Sequence, residues 1–375
     1  SHYNASTGHL NTSYEFEIPS DSPNNIKTVI EILADISNNL SLEEVAFERE
    51  RKIVEEEWRG DFGANKRYSD QLFKYIYKDS FLLERKPIGK IEVIRNFKYS
   101  DAINYYQKWY QPNLMGIFVI GDVEINNIKN LITKNFSSFK NKKLKLPNYV
   151  IPDFKSNQFF KFQDEETESL NFYIWEKDKF KKLNNLSNYR ENKINGLVQE
   201  IYNRRIDELL EKNEINFINS GMGDYQISDL DEYKIISTTL NEAKIKEGIV
   251  DFLTIIKQIE KFGFLNSELD LAKKNHLLYL KQSLLEQETR TSDNFAYEYQ
   301  RHFLYEEMIS SPEDQIKYTE ELMSTITVKD LNDQFNKYTQ AKNQIIHIKG
   351  PSYIKDLPGE EEINKLFEVV NNKEI

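Results

Sequence analysis

Apolar residues along this chain return at two rhythms, a three-and-four spacing and a strict alternation, and the switches between them predict an α+β protein. The period of 3.6 predicts helices over Asn25 to Asn39, Leu42 to Arg59, Ala64 to Tyr77 and Ser100 to Tyr110, and a short helix from Asn126. A strand is expected at Ser13 to Ile18, and the run Gly116-Ile117-Phe118-Val119-Ile120-Gly121 predicts another over Met115 to Val123. The stretch from Lys140 to Pro152, punctuated by Pro147 and Pro152, reads as a linker. Strands then follow near Phe159 to Gln163, Leu170 to Trp175, Ile215 to Ile227 and Tyr233 to Leu240. Helices are expected over Arg190 to Glu211, Ala243 to Phe262, Ser267 to Glu286 and beyond, and a last strand, Gln344 to Ile348, precedes a terminal helix.

Part of this pattern occurs twice. Asp101, Lys108, Gln111, Ile117 and Gly121 return 229 positions later as Asp330, Lys337, Gln340, Ile346 and Gly350, and the aromatic Tyr106 and Trp109 return as Phe335 and Tyr338. The expected architecture is therefore two homologous domains, each an antiparallel-rich β-sheet with helices packed on it. The limits are 1–141 for the first domain, 142–157 for a linker and 158–375 for the second. On that offset the first domain lacks about 70 residues at its N-terminus, enough for a strand pair and a helix.

A length of 375 residues accommodates two domains with cores of their own. The net charge of −11, without a basic stripe, argues against a nucleic-acid partner. There is no cysteine, which removes disulfides, thiolate metal sites and cysteine nucleophiles from these residues. No apolar run is long enough to span a membrane.

The chemistry concentrates on the helix through Phe47-Glu48-Arg49-Glu50-Arg51-Lys52-Ile53-Val54-Glu55-Glu56-Glu57-Trp58. Seven residues are almost two turns, so Phe47, Glu50, Val54 and Glu57 are expected to form one inward stripe, with Glu48, Arg51, Lys52, Glu55 and Arg59 solvated. Carboxylates on such a stripe need a cation, either a metal ion or a lysine or arginine from elsewhere. The plain alternative is a solvated acidic helix, since seven of residues 43 to 57 are Glu. Aligned at an offset of 224, the second copy keeps Leu277-Leu278 opposite Ile53-Val54 but has Lys274 and Lys281 opposite Glu50 and Glu57. The repeated scaffold alone does not call for acids there.

Asn4-Ala5-Ser6-Thr7, Asn11-Thr12-Ser13-Tyr14-Glu15-Phe16, the Glu50 to Glu57 run with Trp58-Arg59, Lys86-Pro87-Ile88-Gly89 and Tyr110-Gln111-Pro112-Asn113 resemble the pitrilysin/insulinase family of zinc metallopeptidases, in its bacterial zinc-protease branch. The resemblance runs over essentially the whole chain and implies the amino-terminal half of a clamshell enzyme. It further implies a zinc cofactor held by two histidines of an H-x-x-E-H helix and by a downstream glutamate at Glu57, with Glu50 supporting catalysis beside the metal. Such a site leaves zinc a fourth position for water, and the glutamate of H-x-x-E-H serves as general base. Asn4 and Ala5 match the family's edge strand, which pairs with the substrate backbone. Implied partners are a peptide or unfolded polypeptide and the other clamshell half; the compartment implied is the periplasm or cell envelope, with the cytoplasm as alternative.

These 375 residues contain no H-x-x-E-H. His302-Phe303-Leu304-Tyr305-Glu306 has Tyr and Glu where Glu and His are required, and His2, His9, His276 and His347 have no partner at ligand spacing. The two histidines and the general base are therefore expected upstream of residue 1, with this segment alone inactive. The alternative function is a non-catalytic family member serving as a structural or partner-binding subunit.

Overall fold

A computed structural model describes residues 2–19, 23–60, 62–142, 144–147, 149–226 and 230–374. Strands β1 (His2–Thr7) and β2 (Thr12–Glu17) lead into helices α1 (Pro23–Ala34), α2 (Glu44–Gly60), α3 (Ala64–Ile76), α4 (Ile91–Asn96), α5 (Tyr99–Trp109) and α6 (Ile125–Phe136). Then come β3 (Gln158–Asp164), β4 (Asn171–Lys179), α7 (Leu186–Glu211), β5 (Phe217–Gln226) and β6 (Asp231–Leu240). The chain closes with α8 (Ile245–Phe262), α9 (Asn266–Leu285), α10 (Ser292–Tyr305), α11 (Pro312–Thr325), α12 (Val328–Thr339), β7 (Gln344–Pro351) and α13 (Glu360–Asn372). The α+β class is as expected. Among the described residues no helix is long and apolar enough to cross a membrane.

Two compact units form, and they exchange segments relative to the contiguous division. One comprises residues 1–62, 81–149 and 290–304; the other comprises 63–80, 150–289 and 305–375. Their boundary at 149/150 falls inside the linker, whose described part holds no helix or strand; Lys143 and Asn148 of it lie outside the described residues, as does Ile227 at the end of the strand expected from Ile215.

The second unit is built on a five-stranded sheet of order β3-β7-β4-β6-β5, parallel only between β3 and β7. Alternation gives each strand two faces. Phe172 and Ile174 of β4, Ile236 and Leu240 of β6, and Ile346 and Ile348 of β7 join Leu197, Val198 and Ile201 of α7 and Ile249, Phe252 and Leu253 of α8 in one core. The opposite face is aromatic. There His347 is fully buried, stacked between Phe160 at 4.5 Å and Tyr173 at 4.6 Å, and its Nε2 lies 2.6 Å from the Tyr68 hydroxyl of α3. Tyr75 stacks on Phe160 at 4.6 Å, and Arg67 pairs with Asp164 at 2.6 Å. These contacts are why α3, close to α2 in sequence, belongs to the second unit.

At one end the two faces turn ionic. Lys177, almost completely buried, donates to the carbonyls of Ile151 (2.7 Å) and Pro152 (2.9 Å) and pairs with Asp231 at 3.3 Å, tying down the linker's far end. Glu176 continues the stripe of Phe172 and Ile174 into the core, and Lys234 nearby pairs with Asp224 and Glu232. Burial, helped by Asp178, pushes the Glu176 carboxyl up to about 8 against the pull of Lys337 and Lys234.

The first unit has one described sheet, the β1-β2 hairpin. The strand expected over Met115 to Val123 does not form: residues 115–120 show no ladder, whereas the matching β7 runs between β3 and β4. Apolar alternation makes a segment fit for a sheet, but a strand exists only where a neighbour supplies hydrogen bonds. The helices before these segments do match. In α5 Asp101 accepts from the Lys98 amide at 2.8 Å, and in α12 Asp330 accepts from the Thr327 amide at 2.8 Å, the same N-terminal cap in both copies. The paired glycines differ in purpose. Gly121 has φ +145°, while a Cβ on Gly350 would sit 2.7 Å from Leu170.

Two outcomes follow from the buried titratable groups. Burial depresses His347 from its ordinary 6.5 to about 3, so between those pH values the unfolded chain holds the extra proton and stability falls on acidification. Glu176 has the opposite sign: between 4.5 and about 8 the folded chain holds the extra proton, and stability falls as pH rises. Urea unfolding of Glu176→Gln is expected to show a shallower loss between about pH 5 and 8 than the parent. Tyr68→Phe is expected to cost about 1–3 kcal/mol, because it leaves the His347 ring nitrogen unbonded in the core. An unchanged pH slope, or an unchanged midpoint, would show that these groups are solvated in solution.

Candidate functional site

Helix α2 does not bury the stripe that periodicity selects. Phe47, Arg51, Val54, Glu55 and Trp58 are half-buried, whereas Glu50 and Glu57 are exposed. At about 100° per residue, the two glutamates lie about 60° and 80° round the helix from Phe47, on the flank of the packed face. Arg51 accounts for the rotation. Its guanidinium lies over the rings of Phe47 (4.9 Å) and Phe97 (4.5 Å) and donates to the carbonyls of Ile94 and Phe97, where α4 ends. A charged residue thus occupies the inward position by capping another helix's carbonyl end. Glu55, also expected in solvent, accepts from Arg95 and Arg59, each at 2.6 Å.

The pair Glu50 and Glu57 therefore stands together in solvent without a structural duty. Among the described residues Glu50 meets only its neighbour Arg49, at 3.6 Å, and no hydrogen bond or ion pair reaches Glu57. In α9 the corresponding Lys274 and Lys281 are exposed as well, and Lys281 pairs with Glu320 at 2.9 Å. These positions are outward in both copies, and their charge is independent of packing.

Asn4 and Ala5 lie at the centre of β1, which pairs with β2 only, in the register Asn4↔Glu15 and Ala5↔Tyr14. Every residue of β1 is exposed, and the Ala5 amide donates to the Asn4 side-chain oxygen at 2.9 Å. The far edge of β1 thus carries main-chain groups without a ladder partner among the described residues. Sequence reasoning missed what supports this hairpin. The Tyr14 hydroxyl lies 2.5 Å from that of Tyr110, whose phenol burial keeps protonated, and Tyr106 donates to the Ile36 carbonyl and accepts from the Leu40 amide. No sequence signal pointed to it, because the placing of Tyr14 across from Ala5 comes from the register.

A metal ion can be tested against these side chains. Among the described residues no group of three His, Cys, Asp or Glu could hold one. His347 is locked in its aromatic stack, and His276, pushed down to about 4 by burial and by Lys193 at 3.1 Å, faces a cation. Glu57 does fit as a single ligand: it is an oxygen donor on a regular helix, unclaimed by any cation. Its chemistry would suit one corner of a site and no more.

Residues 1–88 match the family model described as insulinase (peptidase family M16), and residues 96–275 match the model described as peptidase M16 inactive domain. The chain belongs to peptidase family M16. Within this M16 chain, the inactive-domain match begins in the first copy and ends one residue past Lys274 in the second. The chain is 24% identical over 345 residues, 91% of its length and 37% of the relative's, to the probable zinc protease PqqL of Escherichia coli. Its fold superposes with TM-score 0.95 and 21% identity on the crystal structure of the first half of the periplasmic protease PqqL from Escherichia coli, covering all of this chain and 81% of that one. A mutant of the ferredoxin protease FusC in complex with Arabidopsis ferredoxin superposes with TM-score 0.86 and 19% identity, over all of this chain and 42% of that one. The chain spans about a third of the length of the curated relatives it matches.

The two kinds of charge on α2 are separable by stability. Arg51→Met is expected to destabilise by about 2–3 kcal/mol in urea unfolding, since two carbonyls lose a charged donor. Glu50→Gln and Glu57→Gln are expected to shift stability by less than about 0.5 kcal/mol. A cost at Glu57 equal to that at Arg51 would make the carboxylate structural.

Proposed function

We propose that this chain is the amino-terminal part of a zinc-dependent endopeptidase, in which Glu57 is a zinc ligand and Glu50 supports the site from beside it. The observation that carries the reading is the unclaimed, solvent-facing carboxylate pair on α2 of an M16 chain, replaced by lysines in the second copy. The curated relatives named zinc proteases support it. In this reading two histidines and the general-base glutamate come from a segment upstream of residue 1, and the second half of the enclosing chamber from outside these residues.

Zinc, when bound, supplies Lewis-acid activation of water and of the scissile carbonyl. The residues of this chain do the rest. Glu57 would offer a carboxylate oxygen from a helix held in place by Arg51, so that the backbone position of the ligand is fixed by the scaffold. Glu50, one face-repeat earlier, adds negative charge and a hydrogen-bond acceptor that orients neighbouring donors. Strand β1 offers its free edge to an extended peptide, with Asn4 and Ala5 at the centre of the added ladder. Main-chain pairing makes the site tolerant of many sequences and suits it to peptides or unfolded segments, which can present a free strand.

In a chain that includes the upstream residues, Glu57→Gln is expected to lose its one zinc per chain and peptide cleavage together. Glu50→Gln is expected to keep the metal while cleavage falls about 10–100-fold. Metal content by atomic absorption and cleavage of a quenched fluorescent peptide read the two effects. Zinc retained at parental affinity in Glu57→Gln would remove this ligand assignment.

A further inference from the structure

The β1-β2 hairpin has two chemically different faces, set by its register. Tyr3 and Ala5 share one face with Phe16 and Tyr14, and Tyr14 is anchored on that face by Tyr110. His2, Asn4 and Ser6 share the other with Glu17, Glu15 and Ser13, a parity that the 2.9 Å contact between the Ser6 and Ser13 hydroxyls corroborates. Glu15 and Glu17 are exposed, and neither has an ion-pair partner among the described residues. No lysine or arginine occurs before Lys27. The second face is therefore acidic, and nothing in the hairpin neutralises it.

We infer that the extended peptide added to β1 is selected for basic side chains at alternate positions, on the face that carries Glu15 and Glu17. The inference rests on the edge-strand reading above and adds the substrate class. An added strand lies about 4.8 Å from β1 and about 9.6 Å from β2. Its side chains on the acidic face pass beside His2, Asn4 and Ser6, which are too short to fill that gap. A lysine or arginine is long enough to cross β1 and bring its cation to Glu15 or Glu17. A peptide glutamate at the same place brings like charge to within about one Debye length. On the intervening positions the peptide meets Tyr3, 79% exposed, and Ala5, where apolar side chains find a partner. The favoured occupant is thus an extended segment that alternates basic and apolar residues, recognised by main-chain pairing and sorted by charge.

The test uses the full-length protein stripped of metal and fluorescein-labelled nine-residue peptides that differ only in carrying Lys, Ser or Glu at three alternate positions. Fluorescence anisotropy is expected to show the Lys peptide binding about tenfold more tightly than the Glu peptide. The difference is expected to shrink in 0.5 M salt and to fall within about twofold in Glu15→Gln/Glu17→Gln, with binding of the Ser peptide unchanged as the check on folding. The charge-reversed Glu15→Lys/Glu17→Lys is expected to prefer the Glu peptide. Equal binding of the Lys and Glu peptides, or a preference that survives both double variants, overturns the inference. Because the readout needs no metal, a charge preference in the stripped protein, found together with no peptide cleavage once zinc is restored, would overturn the peptidase reading and leave this one standing.

Discussion

The aromatic face of the second unit depends on an imidazole that stays neutral. His347 has a ring on each side and a tyrosine hydroxyl at its edge, a setting in which a cation would be unsolvated and without a counter-charge. The neutral ring stacks like any flat apolar group and also takes part in one directional bond, so it joins packing to register: Tyr68 can meet it in one placement of α3 only. The adjoining Arg67 pairs then add orientation more than energy, because Arg67 remains partly exposed.

Helix α2 shows how a site can be kept apart from the scaffold that bears it. Its inward face is held by Phe47, Arg51 and Trp58, and Arg51 fixes the helix by closing the end of α4. The flank that carries Glu50 and Glu57 is free of such duties. Acids or lysines can therefore stand there with the same fold beneath, as the two copies illustrate. Packing constrains one side of the helix, and chemistry is written on another.

Regular helices and the sheet of the second unit were legible in the sequence because burial there follows period. The repeat was legible for a physical reason as well, since Asp101 and Asp330 perform the same capping bond. What misled was the assumption that charge marks the outside. Arg51 carries an apolar stem and a flat guanidinium that covers rings while its donors reach carbonyls, so it lies inward, whereas Glu50 and Glu57 were displaced to the flank. The strand expected over Met115 to Val123 failed for a different reason, because pairing is a property of two segments and periodicity reads one. The short α4 carried too little pattern to register. Asn4 and Ala5 were found through resemblance alone; the hairpin faces that give them context needed the register.

The bond between Tyr68 and His347 joins residues 279 positions apart. A ribosome adding about 5–20 residues per second completes α3 roughly 15–55 s before it delivers β7. Until β3 and β4 are made Tyr68 and Tyr75 have no strand to cover, and until β7 is made Tyr68 has no imidazole to bond. Completion of α3's docking is consequently a late, long-range event in the life of the nascent chain, timed by the last strand of the sheet to be made.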